Sequence, residues 1–167
     1  PRVTGNVTGS ATEDGITVSL NALANASDTD VGNTLSVVNV PTELPAGVTY
    51  NATTKVFTLD PSNAAYQNLA AGATRDVTVT YGVSDGTATT EASVVFTVTG
   101  TNDAPEVTGN VTGSATEDGI TVNLNALANA SDVEGQSLTV VNVPTELPAG
   151  VTYDEITHSF SLDPSNA

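Results

Sequence analysis

The sequence predicts an all-β fold in which β-sandwich modules follow one another in tandem. Three observations predict it: a repeat of about a hundred residues, apolar residues that alternate with polar ones, and turn residues between the alternating runs. Residues 1–28 and 105–132 are identical at 26 of 28 positions. A repeat this long is typical of tandem domains, because solenoid units have about 20–45 residues.

Apolar and polar residues alternate with a period of two through most of the first copy. The pattern is clearest in 77–83, "VTVTYGV", and in 94–98, "VVFTV", and it is typical of half-buried antiparallel strands. Further strands are predicted at Val3–Thr8, Ile16–Leu20, Thr34–Val40, Val48–Tyr50 and Lys55–Leu59, with Gly, Pro, Asn and Asp between them. Seven short strands in about a hundred residues indicate a Greek-key β-sandwich of the immunoglobulin or cadherin type.

Two connections, 21–26 and 62–69, are predicted to contain one or two helical turns each. Before the second of these Pro61 follows Asp60, and proline is favoured in the first turn of a helix. Neither segment is long enough to change the all-β prediction.

The repeat predicts two domains that differ in completeness. A complete sandwich is expected over 1–103 and a partial repeat over 104–167, because Ala167 is equivalent to Ala64 and the sequence holds one version of 65–100. Without the last two strands, the second copy is expected to expose core positions such as Phe160 and Val140. We expect it either to be disordered or to be completed by strands exchanged with a neighbouring chain.

The charge balance narrows the possible partners. The chain has nineteen acidic and three basic residues, which gives a net charge of −16. A phosphate backbone or an anionic membrane would therefore be repelled. Neither nucleic acid binding nor membrane insertion is expected, and neighbouring repeats are the expected partners. Because cysteine is absent, stability has to come from packing or from bound ions.

The acidic loops fall at two ends of the predicted sandwich, because successive strands run up and down. One end collects Glu13, Asp60, Asn102 and Asp103. The opposite end collects Asp28, Asp30, Asn33 and Asp85. The second copy offers Asp132 and Glu134 in the loop equivalent to that of Asp28, and stacked modules would bring this loop to the linker 100–105, "GTNDAP".

So many carboxylates at one junction predict a bound cation. Two unit charges 4 Å apart repel by about 4 kcal/mol at an effective dielectric constant near 20, so the junction would splay apart without one. Carboxylate and amide oxygens suit Ca²⁺, which takes six to eight oxygen ligands. Zinc would require Cys or His, and the single histidine, His158, has no such neighbour in the sequence. The predicted cofactor is Ca²⁺.

Four segments carry a family resemblance: "ATEDG" (11–15), "ASDTDVGNTL" (26–35), "YQNLAAGATRDVTVTYGVSDG" (66–86) and "TGTNDAP" (99–105). They resemble the VCBS-type, cadherin-like repeats of large bacterial RTX adhesins exported by type I secretion. Their early Glu, DxD, later Asp and linker also resemble the calcium-ligand scheme of cadherins. The resemblance implies a secreted, cell-surface stalk that Ca²⁺ stiffens and that projects a ligand-binding tip in cell adhesion and biofilm formation. One departure is the shorter loop of the second copy, which places Glu134 where Asp30 stands.

Catalysis and sugar binding are the two other functions to compare with a structural stalk. Catalysis is not expected, because the adjacent carboxylates of Glu13 and Asp14 would point to opposite faces of an extended strand. A Ca²⁺-dependent carbohydrate-binding module is the alternative, since calcium can ligate hydroxyl groups. With four Tyr, three Phe and no Trp, however, the chain offers few aromatic platforms for a sugar.

Overall fold

The alternating runs of the first copy form strands in the computed structural model, which describes residues 1–30 and 32–166. Packing divides the chain into unit 1 (Pro1–Asn102) and unit 2 (Asp103–Ala167). The described residues are all-β apart from a 3-10 helix at Pro164–Asn166. In this part of the chain no helix has the length and the apolar character needed to cross a membrane.

Unit 1 contains a four-stranded and a three-stranded sheet. Its strands are β1 (Arg2–Val3), β2 (Val7–Thr12), β3 (Val18–Asn21), β4 (Ala26–Ser27), β5 (Ser36–Val38), β6 (Val48–Asn51), β7 (Val56–Leu59), β8 (Thr74–Ser84) and β9 (Thr89–Thr99). The larger sheet has the order β2-β9-β8-β5, the smaller one the order β3-β7-β6, and β1 pairs with β4. The predicted fold class, an immunoglobulin/cadherin-like Greek-key sandwich, is confirmed.

The two sheets of unit 1 enclose its core. Every second side chain of a strand faces inward, and Phe57 of β7 and Phe96 of β9 are fully buried. The Phe57 ring lies 4.5 Å from the ring of Tyr50 and 5.3 Å from that of Tyr81, between centroids. The Tyr81 hydroxyl donates a 2.6 Å hydrogen bond to the carbonyl of Ala22, so the phenol is satisfied although it is buried.

The predicted first strand, Val3–Thr8, is two strands that belong to different sheets. β1 pairs with β4, whereas β2 pairs with β9. The chain changes sheets at Gly5, whose φ of 153° is one that glycine adopts readily. The strands predicted from 77–83 and 94–98 pair antiparallel, as β8 and β9, whereas β2 runs parallel to β9 at this edge. Parallel pairing needs a long connection. Here the connection contains β3 to β8, which lie between β2 and β9 in the sequence.

The two segments predicted to contain helical turns form isolated turns without a helix. Tyr66 N–H donates to the Asn63 carbonyl at 2.9 Å, and Leu69 N–H donates to the Tyr66 carbonyl at 3.0 Å. The Tyr66 side chain is buried and its hydroxyl donates to the Ala46 carbonyl at 2.5 Å. This tertiary contact, not a helical ladder, holds the segment.

Unit 2 repeats one sheet of the sandwich. Its strands are β10 (Glu106–Val107), β11 (Val122–Asn125), β12 (Ala130–Ser131), β13 (Val151–Asp154) and β14 (Ser159–Leu162). They pair in the orders β11-β14-β13 and β10-β12. No strand forms in 111–116 or 139–141, the equivalents of β2 and β5. Phe160 is half-buried, whereas its equivalent Phe57 is fully buried.

Candidate metal centre

Glu13 lies in the turn that follows β2, beside the residues that follow β9. Because these two strands are parallel and in register, their carboxyl ends meet at the same end of unit 1. Glu13 N–H donates to the Thr99 carbonyl at 2.9 Å. Its carboxylate Oε2 accepts a 3.0 Å hydrogen bond from Thr101 N–H. The first turn is thereby attached to the start of the linker.

The linker is held in turn by a close approach at Gly100. A Cβ atom at this position would stand 2.4 Å from the carbonyl oxygen of Leu69, which no side chain tolerates. Gly100 N–H donates to the Ala73 carbonyl at 2.8 Å, and its own carbonyl accepts from Gly72 N–H at 3.0 Å. The backbone that presents Thr101 to Glu13 therefore depends on glycine.

One oxygen of Glu13 is left unsatisfied. The residue is 2% exposed, and Oε1 is buried without a hydrogen-bond partner among the described residues. An ionised carboxylate removed from water is costly unless its oxygens meet donors or a cation. The chemistry of this oxygen fits a metal ligand.

The residue of unit 2 that is equivalent to Glu13 differs from it in burial, although the local sequence is the same. Glu117 lies in an identical "ATEDG" segment and is exposed. In unit 1 the backbone groups that meet Glu13 belong to Thr99 and Thr101, at the far end of the module. Burial of Glu13 is therefore a property of the assembled module and not of the motif.

At the other end of unit 1, the carboxylates of Asp28 and Asp85 face a common point. The N-terminal ammonium of Pro1 lies 3.1 Å from Asp28 Oδ2 and 3.4 Å from Asp85 Oδ2. Asp28 Oδ2 is buried and, apart from this ion pair, has no hydrogen-bond partner among the described residues. The two Oδ2 atoms therefore point toward the same place at this end of unit 1.

Backbone donors keep both of these carboxylates ionised. The pKa of Asp85 is lowered to about 2, first by the N–H of Ala88 and then by the N–H of Thr87, each 2.7 Å from Oδ1. The pKa of Asp28 is lowered, first by its 2.8 Å hydrogen bond from Asp30 N–H and then by the Pro1 ammonium. Both groups are therefore anionic at neutral pH.

Two further predicted ligands, Asp30 and Asn33, lie in the same loop. Asn33 Nδ2 donates to Asp28 Oδ1 at 3.4 Å, and Asn33 N–H donates to the Asp30 carbonyl at 3.4 Å. The side chain of Asp30 is exposed. The loop thus places an amide beside Asp28 and offers a second carboxylate at its surface.

The matching loop of unit 2 folds differently because it is one residue shorter. Asp132 Oδ1 accepts from Gln136 N–H at 2.9 Å, four residues on, whereas Asp28 accepts from the second residue on. Glu134 Oε1 accepts a 2.8 Å hydrogen bond from Asp103 N–H, and its Oε2 is buried without a hydrogen-bond partner among the described residues. The longer side chain at this position reaches the linker.

The remaining predicted ligands lie at the Glu13 end of unit 1 or in the linker. Asp60 follows β7, whose last residue pairs with the first residue of β3, and it is exposed. Its Oδ1 accepts from the N–H of Ser62 at 3.1 Å and from the hydroxyl of Ser62 at 2.7 Å. Asn102 is exposed and Asp103 is half-buried. Asp60 is thus held by its own turn.

No three carboxylate, imidazole or thiolate side chains stand close enough together to hold a metal ion within residues 1–30 and 32–166. Side chains alone therefore do not complete a site. A calcium ion would also need amide and backbone carbonyl oxygens, which it accepts readily. Asn33 and Asn102 offer such oxygens, and the buried oxygens of Glu13, Asp28 and Glu134 fit this chemistry. That the ten residues named from the sequence bind a metal ion stays a prediction.

The sequence did not identify the donors that orient these carboxylates. They are the backbone N–H groups of Thr101, Asp103, Thr87 and Ala88. Every residue except proline carries such a group, so residue type holds no signal for it. Only the fold decides which N–H meets which carboxylate.

No family model and no curated protein matches the sequence. The structure of the chain is similar to three solved structures, among others. They are the protocadherin gammaB4 extracellular domain (18% identity, TM-score 0.45), a chimeric titin Z1Z2 (12% identity, TM-score 0.36) and extracellular domains 3–5 of Drosophila OTK (14% identity, TM-score 0.35). The overlaps cover 97%, 99% and 94% of this chain, respectively. The chain spans 28% of the protocadherin, 82% of the titin chimera and 49% of OTK.

Proposed function

We propose that the chain is a structural extender repeat of a secreted, cell-surface bacterial adhesin, and that Ca²⁺ bound at the ends of its modules stiffens the stalk. The observation that carries the proposal is the burial of Glu13, which is 2% exposed. Its Oε2 accepts a hydrogen bond from Thr101 N–H in the linker, and its Oε1 has no hydrogen-bond partner among the described residues. An acidic side chain buried in this way at a linker gains from a cation what it loses by leaving water.

Calcium would be held by residues from consecutive modules and from the linker between them. Glu13, Asp60, Asn102 and Asp103 would serve one module, and Asp132 and Glu134 the next. The set Asp28, Asp30, Asn33 and Asp85 would serve the opposite end of unit 1. The metal would supply a charge that cancels the repulsion among these groups.

Stiffness would follow from sharing the ion. When ligands on two modules bind one cation, the angle between the modules is restrained, and a row of modules behaves as a rod. A sandwich with strands of about ten residues adds roughly 35–40 Å along the stalk. Extracellular calcium modules typically bind with a Kd of about 10⁻⁴–10⁻³ M, so the stalk would be stiff outside the cell and slack during export. Repetition would then carry an adhesive tip away from the surface, as biofilm attachment requires.

The proposal is tested by small-angle scattering on the 167-residue chain in millimolar Ca²⁺, in millimolar Mg²⁺ and in EGTA. We expect Ca²⁺ to narrow the distribution of interatomic distances and EGTA to broaden it, with Mg²⁺ close to EGTA because it demands a smaller octahedral site. Isothermal titration of Ca²⁺ on the same sample measures binding directly. Scattering profiles that coincide in Ca²⁺ and EGTA would overturn the proposal.

The structural role is proposed in place of catalysis and of sugar binding. Glycan-array binding by the chain, present with Ca²⁺ and lost in EGTA, would favour the carbohydrate-binding alternative. We expect no glycan to be retained.

A further inference from the structure

The turn between β6 and β7 contains one of five Asn-x-Ser/Thr sequences in the chain. This type of sequence accepts a sugar on the side-chain nitrogen of its asparagine. The five asparagines are Asn6, Asn25, Asn51, Asn110 and Asn129. Residue type does not separate them, because each is followed two residues later by Ser or Thr. The structure separates them by the hydrogen bonds of their side chains.

The side chain of Asn51 is held by its own turn, with the carbonyl oxygen toward the backbone. Oδ1 accepts hydrogen bonds from Thr53 N–H at 2.9 Å and from Thr54 N–H at 3.1 Å. This is an Asx-turn, in which the side chain bonds the backbone two residues on. Asn51 is exposed, and its Nδ2 makes no hydrogen bond among the described residues. The nitrogen that would receive a sugar therefore has no such bond to lose.

The rest of this turn is exposed but fixed. Residues 51–54 are all exposed. The Lys55 ammonium donates a 2.6 Å hydrogen bond to the Ala52 carbonyl, and the Lys55 carbonyl accepts from Ala22 N–H at 2.9 Å. A transferase would meet Asn51 and Thr53 together at the tip of one hairpin. A segment that is already ordered loses less conformational entropy when it is bound.

The other four asparagines form no Asx-turn in the described part of the chain. Asn25 Nδ2 donates to the Asn6 carbonyl at 2.8 Å, and Asn129 Nδ2 donates to the Asn110 carbonyl at 3.0 Å. A sugar on either nitrogen would compete with this bond. The two residues after Asn25 form β4, and the two after Asn6 begin β2. A paired strand has to leave its ladder before a transferase can hold it, so these sites are poorer acceptors in the folded chain.

Unit 2 has the same turn without an acceptor nitrogen. Asp154 stands at the position of Asn51, and its Oδ1 accepts from the N–H groups of Ile156 and Thr157 at 2.8 and 3.0 Å. A carboxylate thus replaces the amide, and Ile156 replaces the threonine two residues on. The backbone of the turn does not require an asparagine, so the choice of Asn51 is not explained by the turn alone.

We propose that Asn51 is an N-glycosylation site of the folded module and accepts a sugar from a phosphate-activated donor. Nδ2 forms a bond to the anomeric carbon of the sugar. The bond from that carbon to the donor phosphate oxygen breaks, and its electron pair leaves on the phosphate. One amide proton passes to a basic group of the transferase. Nδ2 keeps its other hydrogen and Oδ1 keeps both of its hydrogen bonds, so the turn survives the modification.

The test uses the folded 167-residue chain, uridine diphosphate glucose and an N-glycosyltransferase that is active on a peptide of residues 47–58. We expect one hexose per chain, located at Asn51 by mass spectrometry of its peptides. Initial rates at the other four asparagines should be lower by about tenfold or more, since they lack the ordered turn. Absence of transfer to the folded chain, or an equal rate at Asn6 or Asn25, would overturn the proposal.

Matched variants separate the effect of the turn from that of the sequence. Asn51→Gln and Thr53→Ala should each abolish transfer, whereas Thr53→Ser should retain it, because the third position has to carry a hydroxyl group. In unit 2, Asp154→Asn combined with Ile156→Thr places an acceptor sequence on the equivalent turn and should add a second hexose. If this double variant keeps its circular dichroism spectrum and gains no hexose, the turn does not select the site.

Discussion

The backbone N–H of Thr101 donates a 3.0 Å hydrogen bond to the carboxylate of Glu13, 88 residues earlier in the chain. This bond joins the turn after the first long strand of unit 1 to the residues after its last strand. It also leaves the second carboxylate oxygen buried without a hydrogen-bond partner among the described residues. The beginning and the end of the module thus share one acidic group.

Glu13→Gln should lower the calcium-dependent stabilisation of the chain, because an amide keeps the acceptor for Thr101 but removes the charge that binds the ion. We expect the rise in Tm on adding millimolar Ca²⁺ to fall by at least half, measured by circular dichroism with and without EGTA. Glu117→Gln is the matched control, since Glu117 lies in the same "ATEDG" motif and is exposed. If both variants respond alike, burial of Glu13 has no part in calcium binding.

Glu134→Asp should free the amide of Asp103, because the shorter side chain no longer spans the 2.8 Å hydrogen bond between Oε1 and Asp103 N–H. A hydrogen bond to a charged group contributes about 1.5–3 kcal/mol, so exchange of this amide should quicken by about tenfold or more in NMR experiments without calcium. Glu155→Asp, at an exposed turn position, should leave the exchange rate unchanged. An unaltered rate in Glu134→Asp would contradict the assignment.

Phe57→Ala and Phe160→Ala make the same change at equivalent positions of the two units. Phe57 is fully buried, so its removal should destabilise unit 1 by about 3–5 kcal/mol, the cost of a large cavity. Phe160 is half-buried beside an open groove, so its removal should cost clearly less. Urea unfolding followed by NMR resonances of each unit separates the two effects. Equal losses would mean that the groove is closed in solution.

Stability of unit 1 should fall in alkaline solution. Burial raises the pKa of Tyr81 to about 12 from 10. Folding therefore favours the neutral phenol. Its contribution is fully present below pH 10 and is lost as the pH rises to about 12. Tyr81→Phe should lower stability by about 1 kcal/mol at pH 7, because the Ala22 carbonyl loses its donor, but it should flatten the alkaline decline. Urea midpoints at pH 8 to 12 test this. An equally steep decline in the variant would be inconsistent with it.

Acid should weaken one turn of unit 2 and spare the same turn of unit 1. The N–H of Thr157 and then that of Ile156 lower the pKa of Asp154 below 3.8, so its contribution is present above pH 3.8 and is lost as the pH falls through the lowered pKa. Asn51 accepts from Thr53 and Thr54 in the equivalent turn and does not titrate. Asp154→Asn should therefore remove the acid-induced rise in amide exchange at Ile156, measured relative to the exchange rate of an unprotected amide at the same pH. Persistence of that rise in the variant would exclude Asp154 as its cause.

Local pattern was enough to predict most strands but not their partners. Alternation in 77–83 and 94–98 predicted β8 and β9, because a strand shows its two faces in consecutive residues. Alternation did not predict that β2 pairs in parallel with β9. That pairing depends on the first and last strands of the module lying side by side, which local sequence does not reveal. The split at Gly5 was missed for the same reason.

The sequence by itself determined the all-β class, the repeat and the grouping of acidic loops at two ends, because periodicity and strand order depend on residues close together in the chain. Only the tertiary structure decided that Glu13 is buried and Glu117 exposed, and that Phe57 is enclosed while Phe160 lines a groove. The local sequence of the two Glu positions is identical. Burial depends instead on residues distant in sequence, and in unit 1 these come from β8 and β9 and from the residues that follow β9.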